Sequence, residues 1–290
     1  MPAHASRAGT IGAALISASA ELSRAGVPDA CLEAEWLLAR LLDTDRGGLF
    51  VRRREPLDPS VNATYREWTE LRARRVPAQQ ITGVQEFHGL EFRVDRHVLI
   101  PRPETEGIVD AGLSLDLPPG ATVVDLGTGS GCIAVTLAVR RPDLAIFALD
   151  RSPQALVVAR QNAKLHQVEQ RVRFVQGDLR SSPDAWRGSI DLVVSNPPYV
   201  SEGEWDRLEP EVRDHDPREA LVAGPTGLEA YEMLVPTAST MLRPGGNLIL
   251  ELGHGQADAV RARVEGAGFE VVEIQPDMQG IPRVLVARSA

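Results

Sequence analysis

The residues best suited to chemistry lie in one stretch, Val193-Val194-Ser195-Asn196-Pro197-Pro198-Tyr199-Val200. An apolar run over 190–194 ends abruptly in an amide, two prolines and an aromatic ring. Each proline fixes its φ and lacks an N–H, and Pro198 also pushes Pro197 toward an extended conformation. The chain leaving the run is therefore stiff. It offers a rigid acceptor pair, the Asn196 side-chain oxygen and the Pro197 carbonyl, beside the flat face of Tyr199. Such a pair suits a planar –NH2 group, which brings two donors and a π surface. Taken alone, the same residues also read as a proline-rich turn closing a strand.

A second stretch, Asp125-Leu126-Gly127-Thr128-Gly129-Ser130-Gly131-Cys132, has the glycines that let a backbone turn sharply and approach a ligand at a helix N-terminus. A dinucleotide fingerprint needs G-x-G-x-x-G/A; Gly127 and Gly129 supply its first two glycines, but its third falls on Cys132. An acid followed by G-x-G-x-G resembles the nucleoside-binding element of class I methyltransferases more closely. Asp150, ending a second apolar run, is placed to take both ribose hydroxyls. Asp178 follows a third run, placed to meet an adenine amino group, with Leu179 to cover the base. Either aspartate alone would serve as well as a strand-end cap. In this order, beside an –NH2 acceptor loop, they point to S-adenosylmethionine.

These residues must be carried by elements that end at one rim. From about residue 121 the pattern alternates strand and helix. Strands are expected over 122–126, 145–150, 172–176, 190–195 and 247–252, then near 270–275 and 283–287. Helices are expected over 131–140, 153–166, 227–242 and 256–265. The last two strands have no long helix between them and predict an antiparallel edge pair. Every candidate residue then sits at the carboxyl end of a strand, where open α/β sheets bind ligands.

Upstream, residues 10–75 read as a small helical domain. Its helices begin after Thr10, after Asp29 (with Leu32, Trp36, Leu37 and Leu41 as apolar side) and after Asp58 with Pro59 at the first position. A loop is expected over 43–57. Tyr65, Trp68 and Leu71 are expected to pack, while Arg72, Arg74 and Arg75 suit the dipole at the last helix's end. Around His88-Gly89, Phe87, Leu90, Phe92 and Val94 alternate as in a β-hairpin. The expected organisation is a helical domain over 1–75, a hairpin linker over 76–105 and a catalytic domain over 106–290.

The chain has 290 residues, 43% hydrophobic and 24% charged, with net charge -9. That length allows one large and one smaller core, and the acidic balance argues against duplex DNA as main partner. Cys31 and Cys132 form no metal or disulfide spacing, so a cytoplasmic protein is expected. No apolar run approaches transmembrane length. Arg7, the run 11–17 and Ala18-Ser19-Ala20 imitate a signal peptide, but Ile11, Leu15, Ala18 and Leu22 fall at helical spacing.

Over nearly its whole length the sequence resembles the HemK/PrmC family, the peptide chain release factor N5-glutamine methyltransferases. The likeness runs through 29–42, Gly83 to Leu90, Val98 to Glu106, the Gly127–Gly131 loop, Ser195 to Val200 and Glu209-Pro210-Glu211-Val212. Arg102-Pro103-Glu104-Thr105-Glu106, ahead of the two later motifs, is its most specific sign. The resemblance implies a class I, Rossmann-like fold with a seven-stranded, mostly parallel sheet behind a small helical domain. It implies transfer of a methyl group from S-adenosylmethionine to the glutamine amide nitrogen in the Gly-Gly-Gln motif of class I release factors. The cofactor would lie on Gly127, Thr128, Gly129, Ser130, Gly131, Asp150, Asp178, Leu179 and Asn196, and the substrate amide on Asn196, Pro197, Pro198 and Tyr199. The helical domain would hold the release factor, with no metal, membrane or nucleic acid involved and a monomer expected. Where the family has Gly-Gly-x-Asp-Gly-Leu, this chain reads Ala223-Gly224-Pro225-Thr226-Gly227-Leu228, and Leu179 replaces an aromatic of some members.

Three other readings share these motifs. A sibling enzyme would methylate a ribosomal-protein glutamine; adenine-N6 DNA and guanine-N2 ribosomal RNA methyltransferases use a similar four-residue loop on exocyclic amines. A catalytically idle S-adenosylmethionine-binding scaffold would show no turnover.

Overall fold

A computed structural model describes residues 9–180 and 183–290. The chain divides into two compact units, one running to Gly83 and including Pro210–His215, the other comprising Val84–Glu209 and Asp216–Ala290.

The smaller unit is helical. In α1 (Ile11–Arg24) the Thr10 hydroxyl accepts from the Ala13 N–H, and Ile11, Ala18 and Leu22 are buried. The stretch that imitates a signal peptide is thus an amphipathic, packed helix; Arg7 lies outside the described residues. α2 (Ala30–Leu41) buries Ala34, Leu37 and Leu38. Leu32 and Trp36, expected on its packed side, are 45% and 40% exposed. The Tyr65 hydroxyl, donating to the Ala34 carbonyl at 2.9 Å, fixes which side faces inward. α3 (Arg46–Val51) interrupts the expected loop, started by the Asp45 carboxylate accepting from Gly48 N–H at 2.7 Å. α4 (Pro59–Ala73) starts at Asp58 and Pro59 as expected, and α5 (Ala78–Thr82) packs on α2 and α4. That packing carries the helical unit past residue 75.

Arg72 does more than complement a helix dipole. It stands in the last turn of α4 as expected, but it is also buried between Glu33 (3.0 Å) and Glu211 (2.9 Å). Arg75 adds two bonds of 2.6 Å to Glu211. Burial alone would raise the Glu211 carboxyl, but the two guanidiniums outweigh it and hold it at about 2.

The larger unit begins with the hairpin β1 (Val84–Phe87) and β2 (Leu90–Arg93), which packs against the helix over Pro153–Leu165 of the same unit. Asn162 of that helix accepts from Arg93 N–H at 2.7 Å and donates to its carbonyl at 3.0 Å. The hairpin is built into this unit. A 3-10 turn over Pro103–Thr105 leads into α6 (Glu106–Ser114). Then follow β3 (Thr122–Leu126), α7 (Cys132–Arg140), β4 (Ala145–Asp150), α8 (Pro153–Leu165), β5 (Val172–Gln176) and β6 (Ile190–Ser195). β7 (Val200–Ser201) precedes α9 (Pro210–Arg213), which belongs with the helical unit, and α10 (Arg218–Leu221) leads into β8 (Val222–Gly224). The chain ends with α11 (Glu229–Met241), β9 (Leu242–Glu251), α12 (Ala257–Gly266), β10 (Phe269–Pro276) and β11 (Pro282–Ser289).

The sheet order is β10-β11-β9-β6-β3-β4-β5. β3, β4, β5, β6 and β9 run parallel, while β10 and β11 form the expected antiparallel edge. β9 is longer than expected because Pro244-Gly245-Gly246 lies within the strand, where the register against β6 shifts. Two large apolar clusters fill the unit, one built with α6 and α7 and the other with α11 and α12, beside a small one of Val94, Val98, Ala155 and Val158. The order reverses at β3, flanked by β4 and β6, so a ligand crevice opens at the carboxyl ends of β3 and β6.

Candidate active site

That crevice holds a cavity of about 230 Å³. Gly127, Thr128, Gly129 and Ser130 line it after β3, Asp150 after β4, and Asp178 and Leu179 after β5. The Asp150 carboxylate accepts from Gly129 N–H and Ser152 N–H, both at 2.8 Å. It is therefore a loop brace and a cavity wall at once, with lone pairs left over. Burial raises its pKa. Asp178 accepts from Arg180 N–H at 2.7 Å. Beneath the loop, the Thr128 hydroxyl donates to Asp125 at 2.6 Å. The other Asp125 oxygen is buried with no hydrogen-bond partner among the described residues, and burial pushes this carboxyl up to about 7.

The glycines divide by role. Gly129, at φ +53, has open space where a Cβ would stand. Gly131 does not line the cavity. At φ +82, a Cβ there would come within 3.1 Å of the Ala159 Cβ, so this glycine lets α7 and α8 approach.

The acceptor side is set by the ends of β6 and β9. Ser195 pairs with Leu250, so Asn196 leaves its strand beside Glu251. Asn196 and Pro198 line the cavity; Pro197 and Tyr199 do not. No described residue donates to the Asn196 side-chain oxygen or to the Pro197 carbonyl. The Tyr199 hydroxyl is instead directed to Glu251 at 3.2 Å, and burial raises its pKa. Its carbonyl accepts from Gln256 at 2.9 Å. Tyr199 thus braces the loop rather than walling the cavity.

The helical unit and the sheet unit each contain a stretch that matches a family model. One, described as the PrmC N-terminal domain, covers residues 13–83; the other, the methyltransferase small domain, covers 112–209. A release factor glutamine methyltransferase of Geobacter sulfurreducens is 43% identical, over 92% of each chain. One of Cereibacter sphaeroides is 42% identical, over 95% of this chain and 97% of its own. This chain belongs to the release factor glutamine methyltransferase family. A methyltransferase from Pyrococcus furiosus superposes with TM-score 0.50 at 19% identity, over 70% of this chain and 91% of its own, a likeness of fold.

Against the usual sequence of that family, the departure at 223–228 is structurally consistent. The Glu229 carboxylate accepts from Thr226 N–H at 2.8 Å and from its hydroxyl at 2.9 Å, so Thr226 fixes the turn. Gly227, at φ +80, is required: a Cβ there would lie 2.5 Å from the Tyr199 carbonyl. The family reading of the sequence left several cavity residues unassigned. Arg102 lines the cavity and donates to the buried Asp216 carboxylate at 2.7 Å. Thr105 also lines it, and its hydroxyl donates to Glu251 at 2.6 Å. Thr105 stood inside the most specific sequence segment; Glu251, ending a strand, gave no comparable signal.

Proposed function

We propose that this chain methylates the side-chain amide nitrogen (N5) of the Gly-Gly-Gln glutamine in class I release factors, using S-adenosylmethionine, in the cytoplasm where translation terminates. Membership of the release factor glutamine methyltransferase family carries the reading, and the acceptor loop supplies its chemistry. The cavity fits the cofactor: carboxylates at Asp150 and Asp178, an apolar wall at Leu179, and an open backbone at Gly129 suit a cationic nucleoside.

The difficulty is the amide, whose nitrogen lone pair is delocalised into its carbonyl. When bound, S-adenosylmethionine supplies an electrophilic methyl on a sulfonium. The Asn196 side-chain oxygen and the Pro197 carbonyl, neither of which accepts a bond from a described residue, take the two amide hydrogens. They orient the nitrogen and stabilise positive charge growing on it. Asp150 and Asp178 hold the nucleoside, with Leu179 on its base. The helical unit holds the body of the release factor, and the enzyme acts as a monomer.

The test is to incubate the protein with methyl-labelled S-adenosylmethionine and a release factor, beside a Gln→Ala version of the Gly-Gly-Gln motif. Label on the wild-type factor alone is expected. No label on either would transfer the reading to a ribosomal-protein glutamine or a nucleic-acid amine.

A further inference from the structure

An asparagine can present either its oxygen or its NH2 to a substrate, and only the oxygen can accept an amide hydrogen. Something must choose. The Asn196 NH2 donates to the Thr105 hydroxyl oxygen at 3.0 Å, and that hydroxyl donates to Glu251 at 2.6 Å. Thr105 is 2% exposed and Glu251 1% exposed, so water does not compete for these bonds.

A threonine hydroxyl has one hydrogen. An ionised Glu251 has none to give, so Thr105 must spend its hydrogen on Glu251. Toward Asn196 it can then only accept. The asparagine group facing Thr105 must be the NH2, which leaves the oxygen directed to the cavity. We propose that Thr105 and Glu251 are positioning residues that lock the Asn196 amide with its oxygen toward the substrate. The assignment follows from proton counting along the chain of contacts, and it rests on Asn196 being the substrate acceptor.

The lock depends on charge. A proton on the Glu251 oxygen facing Thr105 would turn that bond around. Thr105 would then donate to Asn196, and an NH2 would face the substrate amide, donor against donor. The groups acting on Glu251 pull in both directions. Burial raises its carboxyl to about 7, Glu104 adds to the rise, and the hydrogen bonds from Thr105 and Tyr199 and the charge of Arg283 oppose it. Cys132 and Tyr231 also sense its charge. The relay is intact where Glu251 is ionised and reversed where the oxygen facing Thr105 carries a proton.

The test measures kcat at saturating S-adenosylmethionine, together with calorimetric cofactor affinity, for Thr105→Val, Thr105→Ser and Glu251→Gln. Thr105→Val should lower kcat by about ten- to a hundredfold, the size common when an outer-shell hydrogen-bond partner is removed, with cofactor Kd within a few-fold. Thr105→Ser should restore most of it. Wild-type kcat should fall on the acid side with one proton, and Glu251→Gln should be low and lack that limb. Wild-type kcat in Thr105→Val, alongside an inactive Asn196→Ala, would overturn the relay and leave the acceptor role intact. Full activity in Asn196→Ala would instead remove the reading on which the relay rests. Should Thr105→Val and Glu251→Gln fail to fold, Thr105→Ala carries the same test, and a wild-type kcat there beside an inactive Asn196→Ala overturns the proposal.

Discussion

The two halves of the cavity are held by different means. On the cofactor side, backbone N–H groups brace the carboxylates: Asp150 takes that of Ser152 two residues on and that of Gly129 across 21 residues, and Asp178 takes that of Arg180 two residues on. On the acceptor side, Asn196 is held through Thr105, which is 91 residues away, and through Glu251 beyond it. A nucleoside can be gripped by carboxylates that backbone N–H groups, most of them two residues on, hold in place. An amide that must show its oxygen needs a directional partner, and that partner can come from any strand end.

Crossed substitutions should separate the halves. Asn196→Ala removes an acceptor aimed at developing charge, and kcat should fall by roughly a hundred- to a thousandfold, with cofactor affinity changed only a few-fold. Asp150→Ala removes a charged acceptor from the nucleoside side, an effect of about 1.5–3 kcal/mol. It should weaken cofactor binding by about ten- to a hundredfold and change kcat at saturation much less. Calorimetry and single-turnover rates on both variants read the contrast directly. Equal losses of affinity would erase the division.

A finer contrast lies within the loop itself. Gly131→Ala forces a side chain into φ +82 and within 3.1 Å of Ala159, so left-handed strain adds to overpacking. The melting temperature should fall by an amount equivalent to about 2–4 kcal/mol. Gly129→Ala meets no neighbour within 4 Å and pays only the strain of φ +53, about 1–2 kcal/mol. Its larger effect should be on cofactor affinity. If both lose stability equally, Gly131 is not the packing residue.

How much could be read from sequence follows the same division. β3, β4, β5 and β6 have the bounds their apolar runs predict, because each run is closed by a residue with an obvious local role. Asp150, Gly127 and Gly129 stand where those runs end and line the cavity, whereas Gly131 does not. Thr105 and Glu251 were not legible, since no local periodicity links a 3-10 turn to the far end of β9. The assignment of Tyr199 to the substrate face was natural for an aromatic after two prolines. Its hydroxyl is bonded to Glu251, and it lies outside the cavity lining. In the helical unit, the helix-end place of Arg72 was legible but its ion pairs were not, because Glu33 and Glu211 are distant in sequence.

The smallest effect concerns stability against pH, and it runs opposite to activity. Burial raises Glu251 from 4.5 and Asp125 from 3.8, each to about 7. Between about pH 4 and pH 7 the folded chain therefore holds protons that the unfolded chain has released. Stability from these groups is complete below the unfolded values and is lost as pH rises through about 7. Glu211 works in a separate window. Held at about 2 by Arg75 and Arg72, it adds stability above its ordinary 4.5 that is lost only as pH falls toward 2. The melting temperature should thus decline by a few degrees between pH 5.5 and pH 8. Glu251→Gln, which cannot ionise, should show a shallower decline because only Asp125 still contributes. The same substitution is expected to lower kcat, so the carboxylate that serves the acceptor weakens the fold when ionised. An unchanged pH slope in Glu251→Gln would mean that Glu251 is already ionised throughout this range, and the acid limb of kcat would then need another owner.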